Sequence, residues 1–274
     1  MAEFTRPEML VDPSWLAEHL NDANLRIVDC DPPDMYRRVH ITNAVTHHGD
    51  NFYKNPNDPR FVMEPDQFAA VMVQMGIGDE TEVVAYDSMG SINGARLWWC
   101  LNYYGHTNVR VLDGGFNRWL KEGRPITMAV PKVSAGPFTP RPDQSVRASA
   151  EYIMANMSRP DVVILDVRSD GEWNGTNNRG NKRSGHMPGA VHLEWLNNTT
   201  RDEANFLKPP AELRAQFEAL GVTPDKEVIT VCQGGIRAAQ AMWTLKLLGY
   251  DRVRDYDGSF RDWGNRDDTP IVVD

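Results

Sequence analysis

Residues 27–126 and 164–271 follow one pattern. IVDC (27–30) aligns with ILDV (164–167), and VHITNAV (39–45) with GHMPGAV (185–191). EPDQFAAVMVQMGIGDETEVVAYD (64–87) aligns with PPAELRAQFEALGVTPDKEVITVC (209–232). VRVLDGGFNRW (109–119) aligns with VRDYDGSFRDW (253–263). The offset is 144 to 146 over most of this length, with one longer insertion in the second copy after Trp173. A solenoid would repeat every 20 to 50 residues or so. The longer period implies two copies of one domain, and 274 residues suffice for about two domains of ordinary size. The expected division is 1–126 for the first copy, 127–145 for a linker and 146–274 for the second copy. The linker expectation comes from TMAVPKVSAGPFTPRPDQ (127–144), which is rich in Pro, Gly, Ser and Thr and has little periodicity.

Within each copy, short apolar runs alternate with helical patterns. LRIVDC, EVVAYD, VRVLD, DVVILDV and EVITVC read as strands buried on both faces. Asp66 is the expected N-cap of the helix over QFAAVMVQM, and Gly221 the glycine that ends the helix over AELRAQFEAL. Further helices are expected to end near Gly105 and Gly249. Alternation of this kind predicts an α/β fold, each domain a mostly parallel sheet with helices on both faces.

The chemistry concentrates in VITVCQGGIRAAQAMW (228–243). Ligands of open parallel sheets bind beyond the carboxyl ends of the strands, and Cys232 stands at such an end, just before a helix. Helix-start N–H groups lack partners and carry partial positive charge. Gly234 and Gly235 let the backbone curl so that several N–H groups converge, and Arg237 adds a permanent cation. A thiol so placed has a depressed pKa, and the cradle suits an anionic sulfur species such as a persulfide. The corresponding stretch of the first copy, VVAYDSMGSINGARLWW (83–99), carries Asp87 in place of the cysteine.

Other features limit the function. A net charge of -9 without a clustered basic run argues against nucleic-acid binding. No apolar stretch reaches the roughly 18 residues of a membrane span, and no secretory h-region is visible. Cys30, Cys100 and Cys232 are too few and too odd for a disulfide framework, which suggests a reducing, cytoplasmic setting. Cys30 and Cys100 sit in apolar strand and helix patterns and read as core residues. His47-His48 lacks metal-site spacing, so no metal is expected. The sequons at Asn156 and Asn198 read as chance matches. GIGDET (76–81) follows a helix and lacks a third glycine, which argues against a dinucleotide fold.

Three motifs together resemble those of the rhodaneses, in particular the two-domain sulfurtransferases. They are Cys232-Gln-Gly-Gly-Ile-Arg237-Ala, Gly185-His-Met-Pro-Gly-Ala190 and Asp257-Gly-Ser-Phe-Arg-Asp-Trp263, with Asp113-Gly-Gly-Phe-Asn-Arg-Trp119 as the first-copy counterpart. The resemblance covers nearly the whole chain. It implies tandem rhodanese-like domains, of which only the second carries the nucleophile. It implies that Cys232 takes the outer sulfur of a donor, typically thiosulfate, and passes it to cyanide or a thiol, a protein thiol being a further acceptor class. It implies no metal and no organic cofactor. The persulfide and substrate contacts would come from Gln233, Gly234, Gly235, Ile236 and Arg237. Phosphatases of this fold have a loop one residue longer, so four residues between Cys232 and Arg237 favour sulfur transfer. Mercaptopyruvate-preferring relatives tend to end the loop in Thr, whereas Arg237 resembles the thiosulfate type. Two departures bear on the pocket. Glu172 stands where many relatives have a substrate-binding arginine, and Gln233 replaces a basic residue. Arg179 and Arg183, in the insertion, are the candidates to supply the missing charge, a solvated polar loop being the alternative. The resemblance puts Trp195 at a pocket-lining aromatic position, a plain core tryptophan being the alternative, and Asp166 is expected to support the sheet end rather than react.

Overall fold

The computed structural model describes residues 3–47, 49, 52–200 and 206–273. The chain forms two compact units. The first comprises Glu8–Asp143 and Thr200–Leu207, the second Met1–Pro7, Gln144–Thr199 and Lys208–Asp274.

The first unit runs β1 (Leu10–Val11), α1 (Pro13–His19), β2 (Leu25–Asp29), α2 (Pro33–Arg38), β3 (His40–Ile41), β4 (Val45–Thr46), β5 (Lys54–Asn55), β6 (Asp58–Val62), α3 (Pro65–Gln74), β7 (Glu82–Tyr86), α4 (Ile92–Tyr103), β8 (Val109–Leu112), α5 (Gly115–Lys121) and β9 (Ile126–Thr127). The second runs α6 (Ala150–Asn156), β10 (Val162–Asp166), α7 (Asp170–Trp173), β11 (Val191–His192), α8 (Pro210–Glu218), β12 (Glu227–Val231), α9 (Ile236–Leu247), β13 (Val253–Asp255) and α10 (Ser259–Trp263).

The main sheets have the orders β1-β8-β7-β2-β4 and β11-β10-β12-β13. Every neighbouring pair in them is parallel. The duplication is therefore structural: β4, β2, β7 and β8 recur as β11, β10, β12 and β13. An isolated parallel bridge from Arg147 to Asp255 stands where β1 pairs with β8. The apolar runs become strands within a residue of their expected ends because helices cover the sheets and each run can bury both faces. The cores contain Ile27, Val84, Leu112 and Trp119 in the first unit, and Ile164, Ile229, Val231 and Trp263 in the second. Each such apolar side chain, fully buried, contributes about 1.5–3 kcal/mol. Trp119 and Trp263 also satisfy their indole N–H groups, donating to the carbonyls of Pro125 (2.9 Å) and Pro270 (2.8 Å).

The helices expected to end near Gly105, Gly221 and Gly249 do so. His106, Val222 and Tyr250 donate N–H bonds back to Leu101, Phe217 and Leu245. The cap of α3 differs from expectation. Glu64, not Asp66, is the N-cap, because Pro65 occupies the first turn and Glu64 and Gln67 form a reciprocal capping box. Part of the expected linker is held along the first unit. Ile126–Thr127 pairs with His40–Ile41, and Arg141 and Asp143 donate to the carbonyls of Tyr104 and Tyr103. Asn198, of the second sequon, is buried and donates to Gln240 Oε1. His47 stacks on Tyr53, and His48 lies outside the described residues. Among the described residues no His/Cys/Asp/Glu cluster has metal-site geometry, and no helix is long and apolar enough to cross a membrane.

Candidate active site

Cys232 follows β12 directly and is 1% exposed. Its Sγ accepts N–H bonds from Gly235 (3.1 Å) and Gly234 (3.4 Å) at the start of α9. Two constraints hold this turn. Gly235 has φ +77°, and a Cβ there would lie 2.7 Å from the Asp257 carbonyl, so no other residue fits without moving the backbone. The Ser259 hydroxyl accepts from the Cys232 and Gly235 N–H groups, each at 3.1 Å, and donates to the Tyr256 carbonyl. The first turn of α10 closes the other side, with Phe260 N–H on the Cys232 carbonyl and Arg261 N–H on the Gln233 carbonyl.

The thiol pKa is lowered. Burial opposes ionisation, but the Arg237 charge, the N–H groups of Gly234 and Ala238 and the Ser259 hydroxyl outweigh it. Cys30 shows the opposite balance. Burial and the carboxylates of Asp87, Asp29 and Asp31 push its thiol well up. Position, not residue type, separates the two thiols. Cys100 is fully buried within α4.

The structure revises the expected charge pattern. Arg237, read as a cation for a donor oxyanion, makes a bidentate pair with Glu172, Nη1 to Oε2 at 2.7 Å and Nη2 to Oε1 at 2.8 Å. Glu172 is delivered there by the capping box of α7, in which Ser169 also donates to its carboxylate. The pair neutralises the loop cation in place. Arg183, a candidate to supply the missing charge, is held by backbone carbonyls. Its guanidinium donates to the carbonyls of Thr269, Trp263 and Arg266, which ties the insertion to the segment after α10. Arg179 is exposed, with Nε 3.8 Å from Glu172 Oε1.

The remaining expected residues lie around the same sheet end. Gln233 is buried and exchanges a reciprocal amide pair with Asn181, at 3.1 Å in both directions. Asn265 donates to the same Asn181 oxygen, so the insertion is latched to the loop by neutral amides. Ile236 opens α9. Trp195 opens a short 3-10 turn, its N–H on the Val167 carbonyl just past β10. Asp166 is occupied by the buried Arg168, which also bonds the Gly185 carbonyl and lies 3.9 Å from the Phe260 ring centroid. Sequence reasoning passed over Ser259, Asn181, Asn265 and Arg261. Ser259 and Arg261 lie inside a quoted motif, but only the neighbouring ends of β12 and β13 reveal which side chains meet the loop.

The first copy shows the same cradle holding a carboxylate. Asp87 accepts from the N–H groups of Met89, Ser91, Asn93 and Gly94, at 2.7 to 3.0 Å. Its loop is one residue longer: Asp87 stands five positions before Ile92, Cys232 four before Ile236. Asp87→Ala leaves these N–H groups without an acceptor. We expect it to destabilise the chain by about 1–3 kcal/mol in chemical denaturation. The activity expected of Cys232 should stay within about tenfold, as Cys232 and the residues of its cradle belong to the other unit.

The family described as Rhodanese, Rhodanese-like domain, matches residues 12–122 and 149–266. The sulfur carrier protein TtuD of Thermus thermophilus is 34% identical over 282 residues, covering 98% of each chain. A thiosulfate sulfurtransferase of Pseudomonas aeruginosa is 32% identical over 274 residues, covering all of both. Among solved structures, wild-type EanB superposes with a TM-score of 0.89 at 23% identity, over 100% of this chain and 71% of EanB, a likeness of fold.

Proposed function

The chain belongs to the rhodanese family, and on that footing we propose that it moves sulfane sulfur from thiosulfate to a thiophilic acceptor through a persulfide on Cys232. The observation that carries this reading is the Cys232 sulfur held by the Gly234 and Gly235 N–H groups at the start of α9. The Cys232 thiolate attacks the outer sulfur of the donor. A sulfur–sulfur bond forms to Cys232 while the donor's breaks, and its electron pair leaves with sulfite. The persulfide is anionic, so the cradle that lowers the thiol pKa also stabilises the product of the first step. Cyanide or a thiolate then attacks the outer sulfur and restores the Cys232 thiolate. An odd, sparse set of three cysteines suits a reducing, cytoplasmic setting.

Two observations favour a second reading, delivery of the sulfur to a protein thiol. Glu172 neutralises Arg237, which weakens the attraction for a small dianion, and one relative is named a sulfur carrier. Steady-state rates separate the two. With thiosulfate as donor, rapid turnover on cyanide or a small thiol supports the enzyme. Complete persulfide loading with negligible turnover on either supports the carrier. A higher kcat/KM with 3-mercaptopyruvate than with thiosulfate would reassign the donor.

A further inference from the structure

We propose that Arg261 is the cation that reads donor charge at the mouth of the Cys232 loop, holding the sulfonate oxygens of the donor and of the departing sulfite. The inference rests on the sulfur-transfer reading above. Three cations were candidates for this task, and the structure commits two of them elsewhere. Arg237 is paired bidentately with Glu172, and Arg183 is spread over three backbone carbonyls. Arg179 is exposed on the insertion, beside Glu172.

Arg261 stands against the loop itself. Its N–H bonds the Gln233 carbonyl at 2.8 Å, fixing the start of its side chain against the loop. Its guanidinium carbon lies 4.0 Å from where a Gly234 Cβ would stand. The Gly234 N–H is one of the two that hold the Cys232 sulfur. The guanidinium therefore lies over the residue that carries the cradle.

The first copy supplies an independent observation. Asn117 is the counterpart of Arg261 in the aligned motif, and its Nδ2 donates to the carbonyl of Ser88, the counterpart of Gln233, at 2.9 Å. In both copies this helix position turns its side chain over the loop. A cation stands there only in the copy that carries the thiol. A planar guanidinium can give two parallel hydrogen bonds to a sulfonate, which a neutral amide cannot match. During transfer, negative charge grows on the leaving sulfite oxygens, so a fixed donor at this point assists departure as well as capture.

The test compares Arg261→Ala and Arg261→Lys with the wild type on two donors. Methanethiosulfonate carries the same transferable sulfur as thiosulfate but one negative charge fewer. For Arg261→Ala, KM for thiosulfate should rise about tenfold, the loss of a charge-assisted contact. KM for methanethiosulfonate should rise less than about threefold, and lysine should restore part of the difference. Equal changes for both donors, or no change, would overturn the proposal. A second arm does not depend on turnover. Alkylation of Cys232 by anionic iodoacetate is measured relative to neutral iodoacetamide. The ratio should fall in Arg261→Ala while the iodoacetamide rate holds, and an unchanged ratio counts against Arg261. If the wild type takes no sulfur from thiosulfate yet the alkylation ratio falls, the donor assignment fails and the anion-reading role stands.

Discussion

Cys232→Ser is expected to lower sulfur transfer by about a thousandfold or more, with denaturation stability within about 1 kcal/mol of wild type. The two halves of this result have separate causes. Activity is lost because a serine hydroxyl is not ionised near neutral pH and oxygen does not form a persulfide. Stability is kept because a smaller oxygen can still accept from the Gly234 and Gly235 N–H groups, and the Ser259 bonds to the Cys232 and Gly235 N–H groups do not involve the side chain at 232. Cys30→Ser and Cys100→Ser should retain transfer, as both thiols are buried and belong to the first unit. Retained turnover in Cys232→Ser would move the chemistry to another residue.

The second large effect belongs to Arg237. Arg237→Ala leaves the buried Glu172 carboxylate without its bidentate partner, and Arg179, exposed and 3.8 Å away, is a weak substitute. A loss of about 3 kcal/mol is expected at neutral pH, together with a fall of about tenfold or more in Cys232 alkylation because the thiolate loses its cation. Glu172→Gln in the same chain should restore most of the stability and none of the reactivity, since it removes the stranded charge but not the need for a cation. The pH dependence has a definite sign. Burial alone would raise the Glu172 pKa, but the Arg237 hydrogen bonds and charge, with Ser169, hold it at about 2 against an ordinary 4.5. The folded state thus binds this proton more weakly than the unfolded chain. The stabilisation is complete above pH 4.5 and is lost as pH falls toward 2. The gap between wild type and Arg237→Ala should narrow across that window, which denaturation curves at several pH values will show.

The parts of the molecule legible in the sequence are those written in local patterns. The strands are short apolar runs bounded by turns, and the duplication repeats them in register. Cys232, its glycines and the start of α9 are contiguous, so their geometry follows from the backbone alone. What sequence reasoning missed depends on side chains meeting across the fold. Arg237 and Glu172 are 65 positions apart, and nothing local shows that the capping box of α7 aims a carboxylate at the loop. Arg183 was read from its charge and its place in the insertion, but its direction is set by the carbonyls it meets after α10. Asn181 gives no signal in a polar loop until the Gln233 amide is seen opposite it. Arg261 had a faint signal: it is the cation within a motif whose first-copy counterpart is Asn117.

The mass of the protein after brief treatment with thiosulfate decides whether Cys232 carries sulfur. A gain of one sulfur atom, mapped to the peptide containing Cys232 and reversed by cyanide with release of thiocyanate, is the expected result. An unchanged mass, or sulfur on Cys30 or Cys100 instead, would contradict it.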